Sequence, residues 1–194
     1  MEYDRRTALI VVDVQNDFAD PKGSLYVRGG EQVLAVANRE IAAARAAGAF
    51  VAFSQDWHPE STPHFQKDGG VWPVHCVRDS WGAAFVPGLD VAGAEVIQKG
   101  TGGEDGYSAF TVRDPTSGEP QATRLGSLLK VHAVERVVII GLATDYCVKD
   151  TALDALRLGY PITVLAGAVR AVDLQRGDGD RALDAVRAAG GTVA

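Results

Sequence analysis

Leu9-Ile-Val-Val12 is an unbroken apolar run, mostly β-branched, that ends on a carboxylate, Asp13. A strand buried on both faces reads this way, which places it at the centre of a parallel sheet. Ala49-Phe-Val-Ala-Phe53, Val137-Val-Ile-Ile140 and Ile162-Thr-Val-Leu165 have the same character. Glu95-Val-Ile-Gln-Lys99 is a shorter version, and Thr192-Val193 could begin a sixth strand. Helical periodicity fills the gaps. Gly30 to Gly48 carries Val33, Val36, Ala37, Ile41 and Ala44 on one face, and a second helix carries Leu125, Leu128 and Leu129. A third runs from about Asp145 to Gly159, and a fourth from Asp180 to Gly190. Strands alternating with helices imply a mostly parallel, roughly six-stranded sheet covered on both faces, a three-layer α/β/α, Rossmann-like fold. Residues 56–92 and 100–120, punctuated by proline and glycine, are expected to be irregular.

The 194 residues are 46% hydrophobic and 23% charged, the make-up of one globular domain spanning 1–194. A net charge of -6 argues against nucleic acid as a main partner. No apolar run approaches the ~20 residues of a membrane span. The polar start, Met1 to Arg6, leads straight into a strand and is expected to carry no export signal. Two cysteines, Cys76 and Cys147, are too few for a disulfide framework, so a reducing compartment, the cytoplasm, is expected. Self-association is left open.

Open parallel sheets bind ligands beyond the carboxyl ends of their strands. Asp13, Asp56 with His58, Lys99 and Ala143 to Cys147 all fall there. Cys147, at a helix start, would face unpaired N–H groups and the positive end of the macrodipole, which predicts a lowered thiol pKa. Thr144 and Asp145 beside it read equally well as N-caps. Asp13 could act as a base for the thiol, and Lys99 could pair with Asp13. Taken singly, each has a plainer reading: a packed thiol, a loop cap, a surface lysine.

A second cluster is denser. Three of the four histidines, His58, His64 and His75, share one loop with Asp56. A carboxylate with three imidazoles suits a divalent metal ion: zinc, iron or manganese. His132 reads as structural or solvated, and Cys76 as a packed thiol. Phe18, Trp72, Tyr107 and Tyr146 lie beside these polar groups and could sandwich a flat ring, forming a small-molecule pocket.

Together, Val12-Asp-Val-Gln-Asn-Asp-Phe18, Gln55-Asp-Trp-His-Pro59, His64-Phe65, Trp72-Pro-Val-His-Cys76, Lys99-Gly100, Tyr107-Ser108 and Gly141-Leu-Ala-Thr-Asp-Tyr-Cys-Val148 form an ordered set. The set resembles the nicotinamidase/pyrazinamidase branch of the isochorismatase-like cysteine hydrolases over nearly the whole chain. The resemblance implies hydrolysis of nicotinamide to nicotinate and ammonia through a thioester, with pyrazinamide as a further substrate. Another small amide or a carbamoyl compound is the alternative. It also implies a triad of Asp13, Lys99 and Cys147, and metal ligation by Asp56, His58, His64 and His75. The Leu142–Ala143 bond matches a cis peptide that turns the N–H groups of Ala143 and Cys147 into an oxyanion hole. Against the resemblance, Gly102-Gly-Glu-Asp105 is more acidic and glycine-rich than expected, which could alter substrate access, and Ala19-Asp-Pro-Lys22 replaces a small, Gly-rich stretch.

Overall fold

The computed structural model describes all 194 residues, Met1 to Ala194. In chain order the elements are β1 (Thr7–Val12), α1 (Asn16–Ala19), α2 (Val33–Ala46), β2 (Phe50–Asp56), β3 (Glu95–Lys99), β4 (Thr111–Arg113) and β5 (Pro120–Ala122). There follow α3 (Leu125–Val131), β6 (Arg136–Leu142), α4 (Lys149–Arg157), β7 (Ile162–Arg170), α5 (Asp178–Ala188) and β8 (Thr192–Val193). Six strands form one sheet in the order β3-β2-β1-β6-β7-β8, and every pairing in it is parallel.

Alternation along β1 divides the core. Leu9 and Val11 face one apolar cluster with Val33, Ala37, Ile41 and Ala44 of α2. Ala8, Ile10 and Val12 face the other, with Leu125 and Leu129 of α3, Ala152 and Ala155 of α4, and Val186 of α5. The α2 residues recur at helical spacing, so one stripe of that helix is covered. These are the expected three layers, with β1 and β6 buried on both faces.

The chain winds outward in opposite directions from the β1–β6 pair, so a crevice opens between their carboxyl ends. Gly141 makes that approach possible. Its φ is +118°, and a Cβ there would overlap the backbone of Val12. Past the strand ends, Asp13 adopts a left-handed conformation at φ +48°, one that Asp tolerates better than most residues.

The structure corrects several boundaries. Residues 100–120 are not wholly irregular, because β4 pairs antiparallel with β5 in a small hairpin. Three-residue strands, one of them exposed throughout, carry no apolar alternation to announce them. β2 runs on through Ser54, Gln55 and Asp56, whose polar side chains find buried partners. The segment expected to open a helix at Asp145 is instead a π-helical turn, Thr144–Val148, before α4. Neither Thr144 nor Asp145 caps it; the Asp145 carboxylate accepts the N–H groups of Val172 and Asp173 at 3.0 and 2.9 Å. No helix is long and apolar enough to cross a membrane.

Candidate active site

Four strand ends deliver the polar groups to one crevice. β1 ends before Asp13, β2 on Asp56 and β3 on Lys99, with Asp56 and Lys99 in register. β6 leads to Ala143 and the π-turn holding Cys147, whose Val148 N–H reaches back to the Ala143 carbonyl at 3.0 Å. π-turns of this kind recur at functional sites. The Leu142–Ala143 peptide is cis, in agreement with the resemblance.

Lys99 is the hub. Its side chain is 1% exposed, and Nζ lies 2.8 Å from Asp13 Oδ2, against Asp56 Oδ1 and 3.5 Å from Cys147 Sγ. Carboxylate oxygens of Asp13 and Asp56 and the Cys147 sulfur all fall within 4.8 Å of one another. Asp13 Oδ1 accepts a hydrogen bond from Ser54 Oγ at 2.6 Å. Asp13 Oδ2, beside the lysine, has no well-aligned hydrogen bond and is free to take a proton.

The electrostatics follow from one cation serving two carboxylates. Burial would lift Asp56, but Lys99 and the imidazoles of His58 and His75 hold its carboxyl well below the usual range. Asp13 is raised by burial, with Lys99 and Ser54 pulling against it and Asp56 adding to the rise. Burial works against the Lys99 ammonium, yet the two carboxylates and Cys147 keep its pKa well above the ordinary value. The Cys147 thiol is pushed up by burial and by Asp13 and Asp56, with Lys99 opposing. This reverses the sequence expectation of a lowered pKa. Cys147 is buried, 6% exposed, at the foot of a crevice, and desolvation outweighs any favourable end-of-helix field. The thiol is the resting form, and it needs a base.

A second cluster stands beside the first. His58 follows β2 and forms a single parallel bridge with Val77, the His58 N–H bonded to the Cys76 carbonyl at 2.9 Å. Ring nitrogens of His58, His64 and His75 lie within 4.8 Å of one another. Asp56 Oδ2 is 3.7 Å from His58 Nε2 and 3.9 Å from His75 Nε2. Burial lowers the His75 pKa to about 4, against the pull of Asp56, so its ring is neutral and keeps a lone pair. Both ring nitrogens of His58 are buried without any hydrogen-bond partner. Buried polar atoms in that state are rare, and three imidazoles with a carboxylate are a donor set for a divalent cation. The residues fit a metal site. Gly100, at φ +78°, leaves room for His58, since a Cβ there would strike its ring.

Aromatic side chains wall the space between sulfur and histidines. Phe18, Trp72, Tyr107 and Tyr146 all line it, together with Ala143. Trp72 Nε1–H donates to Tyr107 Oη at 3.0 Å, and Tyr146 meets Trp72 edge-on at 4.8 Å between centroids. All twelve residues singled out from the sequence thus gather around one pocket.

Sequence reading missed others. Leu25 and Val172 also line the pocket, but a lone apolar residue in a loop carries no signal. Gln15, fully buried, donates from Nε2 to the Asp56 carbonyl at 2.8 Å and accepts the Asp56 N–H at Oε1 at 2.8 Å. Asp17 Oδ2 accepts the Cys76 N–H at 2.7 Å, fixing the His75 loop. Ser54 had a signal, a hydroxyl in a buried strand one residue-pair from Asp13. His132 stacks on Phe50, 4.4 Å between centroids, and Cys76 is fully buried, as expected of both.

The isochorismatase domain family matches residues 7–194. Nicotinamidase of Escherichia coli is 40% identical, with 96% of this chain and 93% of that protein covered. Pyrazinamidase of Pyrococcus horikoshii, solved in complex with zinc, superposes with a TM-score of 0.87 at 37% identity, over 97% of this chain and 98% of that one. PnC1 from L. infantum, solved in complex with nicotinate, gives a TM-score of 0.89 at 35% identity, over 100% and 95%. With that fold, those strand-end groups and this coverage, the chain belongs to the isochorismatase domain family, among relatives that are nicotinamidases and pyrazinamidases.

Proposed function

We propose that this chain, acting as one domain over residues 1–194, is an amidohydrolase that converts nicotinamide to nicotinate and ammonia and also accepts pyrazinamide. One observation carries the reading. A buried cysteine, lysine and aspartate meet at the foot of an aromatic-walled pocket whose side holds a histidine-rich donor set.

The residues divide the work. Asp13 Oδ2 removes the thiol proton of Cys147, and the Lys99 ammonium 3.5 Å away steadies the thiolate that forms. The sulfur attacks the carboxamide carbon. The N–H groups of Ala143 and Cys147 hold the oxyanion. Asp13 returns the proton to nitrogen, so ammonia leaves in place of amide anion, and a thioester remains. Water, deprotonated by the same carboxylate, then cleaves the thioester and frees nicotinate and the thiol. Phe18, Trp72, Tyr107 and Tyr146 hold the ring flat and exclude water.

Asp56, His58, His64 and His75 would hold one divalent cation, with zinc, iron and manganese all suited to the donors. Bound there, the cation supplies a Lewis-acid contact for the ring nitrogen of the substrate. A free reactive thiol suits a reducing compartment, the cytoplasm.

Ammonia release tests the proposal. The purified protein with Mn²⁺ or Zn²⁺ is expected to turn over nicotinamide and pyrazinamide, and Cys147→Ala to abolish both reactions. Rapid release from a carbamoyl compound with none from nicotinamide would overturn the substrate assignment. Turnover surviving in Cys147→Ala would overturn the nucleophile.

A further inference from the structure

The three histidines are not held alike. His75 Nδ1 lies 2.7 Å from the Pro73 carbonyl, within its own loop. His58 stands at the end of a sheet strand, its backbone fixed by the Cys76 and Arg78 bonds. His64 sits between Pro63 and Phe65 on a loop. The His64 backbone is held locally, its N–H on Thr62 Oγ1 at 3.3 Å and its carbonyl on the Trp72 N–H at 3.3 Å, but its ring has no partner within that loop. The partner of the ring comes from far along the chain. Asp105 Oδ1 lies 2.8 Å from His64 Nδ1.

That contact fixes the tautomer. An ionised carboxylate only accepts, so Nδ1 carries the hydrogen and donates it. Nε2 is left with its lone pair among the rings of His58 and His75, whose centroids are 4.9 and 5.3 Å from that of His64. The carboxylate is itself anchored. Its Oδ1 also accepts the Gly106 N–H at 2.8 Å. The backbone of Asp105 is bridged to Arg113 on β4, with the Asp105 N–H on the Arg113 carbonyl at 3.0 Å. β4 in turn is tied to α4 through Thr111 Oγ1, which donates to Asp154 Oδ2 at 2.6 Å. The hairpin therefore aims one carboxylate at one imidazole. Half of the Asp105 side chain faces solvent, whereas that of His64 is 6% exposed.

We propose that Asp105 is the positioning residue of the metal centre: through Nδ1 it sets the tautomer, orientation and basicity of His64 as a ligand. The inference rests on the reading of Asp56, His58, His64 and His75 as a metal site. It gives the hairpin after Gly100 a part in metal retention. A carboxylate behind a ligating histidine makes the ring a stronger donor and spares the cost of ordering it on binding.

Chelator competition on dialysed full-length protein, with Mn²⁺ and then Zn²⁺ as the probe, tests this independently of turnover. Asp105→Ala is expected to weaken metal binding about 10- to 100-fold, with Asp105→Glu recovering most of it and the metal-free unfolding midpoint of both unchanged. Metal affinity of Asp105→Ala within twofold of the unsubstituted protein would overturn the proposal. So would equal losses in the Ala and Glu variants accompanied by a lower metal-free midpoint, the mark of a loop that has lost its fold. If the unsubstituted protein takes up neither metal, the metal site itself fails, an outcome distinct from a failure of Asp105 alone.

Discussion

Ser54→Ala removes one hydroxyl and nothing else. Ser54 Oγ donates to Asp13 Oδ1 at 2.6 Å, and both residues are fully buried. A hydrogen bond to a charged partner contributes about 1.5–3 kcal/mol net. That bond is already made in the resting enzyme, so only the part that positions Asp13 for proton transfer enters kcat/KM; with Lys99 still 2.8 Å from Asp13, a fall of at most about tenfold, or about 1.4 kcal/mol, is expected. The pH dependence has a definite sign. Burial already raises the Asp13 carboxyl, and Ser54 is among the groups that pull it down. Without Ser54 it rises further, and the acid limb of kcat/KM moves to higher pH. An acid whose pKa is higher folded than unfolded costs stability once pH exceeds the unfolded value, and the cost disappears as it protonates. The variant carries the larger cost, so its destabilisation is greatest at neutral pH and shrinks toward acid. Initial rates of ammonia release across pH, with urea unfolding at two pH values, measure both effects. A variant with an unmoved acid limb and unaltered kcat/KM would refute the claim that Ser54 tunes the base.

His58→Ala and His75→Ala are expected to lose bound metal and to raise KM for nicotinamide more than they lower the unfolding midpoint; metal content unchanged in both, read by elemental analysis, would remove the ligand assignment. Gly100→Ala places a methyl group against the His58 ring on a backbone at φ +78°. It should cost about 1–3 kcal/mol and weaken metal binding as well, and a urea midpoint equal to that of the unsubstituted protein would show that the cradle is slack.

The sheet was legible because burial on both faces writes itself as unbroken apolar runs. Leu9–Val12 and Val137–Ile140 are the middle pair of the sheet, and no other arrangement hides such runs so simply. The ends of elements were harder. β2 continues through Ser54-Gln-Asp56 because tertiary partners satisfy those side chains, and a local pattern cannot register a partner 41 residues away. The π-turn at Thr144–Val148 was hidden for the same reason: its residues are ordinary for an α-helix start. Asp13, Lys99, Cys147 and the four metal-site residues were found from their place at strand ends and from the scarcity of histidine. Gln15 and Asp105 were not, since their work is done on another residue's backbone or ring and leaves no periodicity behind.

The expectation that failed most clearly, a lowered Cys147 pKa, shows how the site divides its protons. Two buried carboxylates share one lysine. Asp56, facing Lys99 and two imidazoles, is driven down and stays ionised, as a metal ligand must. Asp13 is left with part of the same cation and a single hydroxyl, and burial drives it up. Two like groups pushed apart in this way take different roles, one fixed in charge and one able to gain and lose a proton. The raised thiol fits the second role. A permanently ionised cysteine would leave Asp13 without a proton to pass to the departing nitrogen. A buried thiol beside a buried carboxylate keeps that proton within the pair until the amide arrives, and Lys99, touching both carboxylates and the sulfur, stabilises the negative charge wherever it resides.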